Sequence, residues 1–218
     1  MTGGIFAIPT FILVVWLKLT GRRVEWAPLL WAGFSFAIYM VALLTKGVLP
    51  QPGFMSGLEL DWVEKSLSLL GTCAILAFLP RVSFKDAGVR WDQTAGSLRP
   101  VVVAAVMTIV GATISSVMIS SSPNVSAEWL LFQATMPGLD EELFMRGLML
   151  LLFHQAFGKS MTIGGAKTGW GLWLTTLLFG LLHGIAWVEG GLQINAAAIV
   201  FTGLIGFVAG WMRERTGS

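Results

Sequence analysis

Charge is what this chain has least of. Only 12% of its 218 residues are Asp, Glu, Lys or Arg, and 55% are hydrophobic. A soluble domain carries roughly 25% charged residues, so a soluble globular class is excluded and the mean hydropathy of +0.76 reads as a membrane protein. The single cysteine, Cys73, excludes an intrachain disulfide; set in the apolar run LSLLGTCAILAFL, it reads as core packing. A formal net charge of only +2, with the basic residues in loops and not along one amphipathic face, excludes nucleic acid as a partner. Alternating strand patterns are also lacking. Histidine occurs twice and tyrosine once, so any site built on either has few candidates.

What the chain has in excess is long hydrophobic runs. A spanning helix needs roughly 20 mostly apolar residues, and about seven runs qualify: 4–20, 27–45, 63–80, 100–120, 128–157, 169–187 and 193–212. The fifth is expected to break at Pro137-Gly138. The polar stretch RVSFKDAGVRWDQTAGSLRP reads as a short interfacial helix plus turn. Arg and Lys concentrate in the loops on one side, among them Arg22, Arg23, Arg81, Lys85 and Arg213, whereas Lys46 and Lys65 fall on the other; the first side is therefore cytoplasmic. Small residues such as Gly203, Gly206 and Gly210 in the last run would let helices approach closely. The expected fold is all-α, a polytopic transmembrane bundle forming one multi-pass integral-membrane domain over 1–218.

Against this background the octapeptide DEELFMRG, residues 140–147, stands out. Three acids after Pro-Gly suit the first turn of a helix, where unpaired N–H groups and the dipole favour anions. One acid is enough for a cap, however, and Arg146 is unexplained. A charged group near the bilayer interior normally faces a partner or a polar cavity. Glu142 and Arg146 are four apart, acid before base, and are expected to pair along one helix face. Glu141 lies about 100° around the helix and is read as the freer carboxylate, available as a general base for water. Of the histidines, His154 lies about 18 Å along the helix from Glu142 and reads as an interfacial or packing residue. His183, in LLFGLLHGIAW, reaches the depth of Glu141 because consecutive spans run in opposite directions. Phe179 precedes it by one helical turn.

Other intramembrane chemistries lack their parts. There is no His-Glu-x-x-His pair and no Gly-x-Ser-x-Gly elbow, and Pro137-Gly138-Leu139-Asp140 stands where an aspartyl intramembrane protease would carry Gly-x-Gly-Asp. Glutamate with histidine is what remains.

Glu141-Glu142-x-x-x-Arg146 followed by Phe179-x-x-x-His183 resembles the first two motifs of the CAAX protease and bacteriocin-processing (CPBP) family, which includes the type II CAAX prenyl endopeptidases. The resemblance covers about residues 100–218. It implies that Glu141 activates a water, that His183 positions or polarises that water, and that Glu142, Arg146 and Phe179 brace the site. It also implies a third motif, His-x-x-x-Asn, on a last helix; that motif is not in this sequence, and an eighth helix is expected beyond Ser218. Asn195 is the one substitute to be named, and reads better as a helix-start residue.

The function expected on this reading is an intramembrane endopeptidase that cleaves membrane-associated peptide or protein substrates by glutamate-activated water, with the lipid bilayer as its other partner. Zinc is left open as a cofactor, with Glu141 and His183 as candidate ligands, two where three protein ligands plus water are usual. The rival readings are a non-catalytic relative acting as an immunity or scaffold protein, and a proton-coupled transporter using Glu and His as a relay.

Overall fold

The computed structural model describes residues 2–46, 48–50, 52–55, 57–119, 126–188 and 190–218. Each of the seven apolar runs is helical: α1 (Thr2–Leu19), α2 (Trp26–Leu43), α3 (Trp62–Phe78), α4 (Leu98–Ile119), α5 (Ala127–Met136) continuing into α6 (Leu150–Phe157), α7 (Trp170–Gly184) and α8 (Ala196–Thr216). Two of them, α2 and α8, are long and apolar enough to cross a membrane by length and composition, and Gly4–Leu19, Leu98–Ile114 and Trp170–Gly184 are shorter apolar stretches. Outward-facing side chains fit that solvent. On α4, which packs on α8, Val102, Val106, Met107, Ile109 and Val110 are all exposed, far more apolar surface than a water-facing helix carries.

Three expectations are corrected. First, Pro137-Gly138 does not break the fifth run. Pro137 keeps right-handed helical angles, and two π-helical segments, Pro137–Glu141 and Leu143–Met149, join α5 to α6. Proline lacks the N–H that an α-turn would use, and the register widens instead: Glu142 N–H donates to the carbonyl of Pro137, five residues back. Second, strands exist. β1 (Met161–Ile163) pairs antiparallel with β2 (Ala166–Thr168), and β3 (Ile185–Val188) with β4 (Gly191–Ile194). The first hairpin turns on Gly164-Gly165, both at positive φ (52° and 78°), the conformation a two-residue hairpin loop demands. Third, the polar stretch forms turns over 81–97, with no interfacial helix before its last three residues start α4. Gly88 at φ 92° closes it, and the Arg213 guanidinium ties it to α8 through the carbonyl of Asp86 at 2.7 Å.

The core lies where α2, α3, the π-helical region, α6 and α7 meet, around Phe36, Phe144, Leu148, Phe153 and Leu178. Tyr39 on α2 stacks on Phe144 with ring centroids 3.8 Å apart. At the start of α5, Glu128 accepts from the backbone N–H groups of Glu59 and Leu60 and from Trp62 Nε1, which locks the entry of α3 against α5. That lock sets the height at which α3 meets the acidic triplet. On the other side, α7 and α8 touch through glycines: a Cβ on Gly180 would sit 2.5 Å from the carbonyl of Ile199, and one on Gly210 equally close to Leu172.

Candidate active site

The π-helical turn sends its three acids to three different neighbours. Asp140 is fully buried; Ser68 Oγ donates to its Oδ1 at 2.6 Å and Tyr39 OH to its Oδ2 at 3.0 Å. It is therefore no helix cap but an internal carboxylate gripped from α2 and α3, which corrects the first-turn reading. Glu142 pairs with Arg146, Oε1 to Nη1 at 3.2 Å, as the i, i+4 spacing predicts. Glu141 faces α3 and α7.

Glu141 is not the free carboxylate expected. Lys65 Nζ lies 2.5 Å from its Oε1 and 3.1 Å from Asp140 Oδ2, so one ammonium spans both acids. The other oxygen, Oε2, is 3.8 Å from His183 Nε2. His183 Nδ1 is 2.8 Å from the carbonyl of Phe179; a carbonyl can only accept, so Nδ1 carries a proton in that hydrogen bond, and Nε2 is the ring nitrogen turned toward Glu141. Thus Glu141 and His183, 42 positions apart in the chain, are neighbours in space.

Phe179 joins the two motifs. Its ring lies 4.1 Å under the guanidinium carbon of Arg146 and 4.3 Å from the His183 ring. Gly206 on α8 makes this packing possible, since a Cβ there would lie 3.0 Å from Arg146 Nη2 and 3.1 Å from Phe179 Cδ1. Arg146 is 4% exposed, its Nη1 and Nη2 lack well-aligned hydrogen bonds, and the ring beneath it supplies part of the missing stabilisation.

Tyr39, Lys65, Glu141, Phe179 and His183 line a cavity of about 160 Å³. It can take a peptide group and a water, but no folded segment. The larger apolar groove of about 920 Å³ between α1 and α2 carries no such cluster of polar groups.

His154 and Asn195 lie away from this cavity. His154 is buried beside Glu214, with Nδ1 3.6 Å from Oε1, and Asn195 caps α8 by accepting from the N–H of Ala198 at 3.0 Å. Cys73 is half-buried on α3. Sequence reasoning missed Lys65, Tyr39 and the part played by Asp140. The signal for Lys65 was present, because an ionisable residue inside the apolar run 63–80 is itself a site marker.

The donors do not compose a zinc site. Among the described residues no group of three or more His, Cys, Asp or Glu side chains is placed to hold a metal. Glu141 and His183 supply two ligands where three are usual, and the Lys65 cation already sits on Glu141.

Residues 123–218 match the family model described as type II CAAX prenyl endopeptidase Rce1-like, the family to which the two motifs point. The match takes in Glu141, Glu142, Arg146, Phe179 and His183, while Tyr39, Lys65 and Ser68 lie outside it. No curated protein and no solved structure matches the chain.

Proposed function

We propose that this chain, whose residues 123–218 match the type II CAAX prenyl endopeptidase Rce1-like model, is a multi-pass intramembrane endopeptidase acting on membrane-associated peptides or proteins by water that Glu141 activates. The observation that carries the reading is the 3.8 Å separation of Glu141 Oε2 and His183 Nε2 inside a small cavity. Two acceptors at that distance can share the two hydrogens of one water, each within ordinary hydrogen-bond reach.

In the reaction, Glu141 Oε2 takes a proton as the water oxygen bonds to the scissile carbonyl carbon. The C–N bond then breaks and the amine leaves with that proton. His183, held by the carbonyl of Phe179, orients the water and keeps a fixed tautomer. Arg146, Glu142 and Phe179 hold the helix and the imidazole in place, and pre-set geometry of this kind carries much of a hydrolase's rate. The likeness of residues 123–218 to type II CAAX prenyl endopeptidases supports a prenylated CAAX peptide as the substrate class.

The test is cleavage of an S-farnesylated, internally quenched peptide ending in Cys-a-a-X by the purified protein in lipid nanodiscs made in H2(18)O. Hydrolysis by water places one 18O atom in the new carboxyl group, and Glu141→Gln abolishes it. Wild-type protein that cleaves neither this peptide nor its unprenylated form, while Glu141→Gln retains biological activity, contradicts the proposal. That outcome would favour a scaffold role, for which the Lys65 pair with Glu141 would serve only to neutralise charge within the bundle.

A further inference from the structure

The inference rests on the hydrolytic reading above and concerns a residue outside both motifs. Glu141 has two carboxylate oxygens with different partners: Oε1 meets the ammonium of Lys65, and Oε2 faces His183. A carboxylate is planar, so pinning one oxygen fixes the direction of the other. Lys65 is itself pinned. Its ammonium also contacts Asp140 Oδ2 at 3.1 Å, and Asp140 is immobilised by Ser68 Oγ at 2.6 Å and Tyr39 OH at 3.0 Å. The Lys65 side chain is 14% exposed, so its charge is little screened by solvent.

We infer that Lys65 is a positioning residue for the hydrolytic site, holding Glu141 by Oε1, with buried Asp140 as its anchor, so that Oε2 is directed at the water shared with His183. The alternative is that Lys65 merely balances the charge of Asp140. Two features separate them. The shorter of the two contacts is to Glu141 and not to Asp140. And Asp140 already has two neutral donors, whereas among the described residues Lys65 is the one hydrogen-bond donor to Glu141.

The measurement is steady-state cleavage of the S-farnesylated quenched peptide by Lys65→Met, Lys65→Arg and the Lys65→Met/Asp140→Asn double variant. Misdirecting a catalytic group by about 1 Å costs about 100-fold, so Lys65→Met is expected to lose about 10- to 100-fold in kcat with KM unchanged, and Lys65→Arg to recover most of that loss. The double variant removes both buried charges together. It is expected to fold and to stay as slow as Lys65→Met, because Glu141 still lacks its support. Restoration of wild-type kcat in the double variant overturns the inference, as does full kcat in Lys65→Met. Should Lys65→Met alone fail to fold, the double variant decides by the same kcat criterion. Failure of this inference is distinct from failure of the hydrolytic reading: in the first case wild type cleaves and Glu141→Gln does not, and in the second wild type does not cleave.

Discussion

Arg146 and Phe179 are in cation–π contact, the guanidinium carbon 4.1 Å from the ring centre, and beside the approach of Glu141 to His183 this contact links the motif on the π-helical region to the motif on α7. The same ring touches His183. Replacing Phe179 by Leu keeps most of the apolar burial but loses the aromatic face, worth about 0.5–2 kcal/mol where desolvated. The expected result is a fall in kcat of about 10-fold with a modest loss of thermal stability, read from turnover and unfolding of the same preparation. Unchanged kcat would show that the ring only fills space.

The Glu142–Arg146 pair is lopsided in exposure, and its two halves should fail differently. Glu142 has a side chain 41% exposed, against 5% for Arg146. Glu142→Gln strands a buried cation, and losing the partner of a buried charge costs about 3–5 kcal/mol, here toward the lower end because neutral Gln still accepts a hydrogen bond. Arg146→Met leaves Glu142 able to take up water and replaces the cation by an apolar side chain, for a cost of about 1–2 kcal/mol. Thermal unfolding in one detergent orders the two variants; equal losses would contradict the asymmetry.

Gly206 tests the close approach of α8. A methyl group there meets Arg146 Nη2 and Phe179 at 3.0–3.1 Å, whereas one on Gly111 of α4 meets nothing within 4 Å. Gly206→Ala is expected to cost about 1–3 kcal/mol by overpacking and to lower turnover by displacing Phe179. Gly111→Ala is the matched control and should leave stability equal or slightly raised, since Ala is the better helix former. Equal effects from both would place the α8 contact elsewhere.

Seven hydrophobic runs were legible as helices because burial in an apolar medium leaves a long, nearly unbroken trace in composition. The two hairpins left none: their strands are three and four residues long, the first pair between apolar runs and the second overlapping the ends of the last two. The π-helical join was hidden because Pro137-Gly138 reads locally as a break, and only the packed neighbours hold the widened turn in place. Within the site, the pair Glu142–Arg146 followed from i, i+4 spacing, and the approach of His183 from the antiparallel run of neighbouring helices. The Lys65 contact was not legible, since it joins positions 76 apart and depends on how α3 is locked by Glu128. Tyr39, the only tyrosine, offered no local clue to its partner.

The most direct test of the central claim, that Glu141 and His183 act on one water, is a double-mutant cycle on kcat for peptide hydrolysis. Glu141→Gln and His183→Gln are each expected to lower kcat by about 100- to 10,000-fold, and the double variant to be no slower than the worse single one, because groups that act as a unit are not additive. Losses that multiply in the double variant, or a His183→Gln enzyme of wild-type kcat, would contradict it.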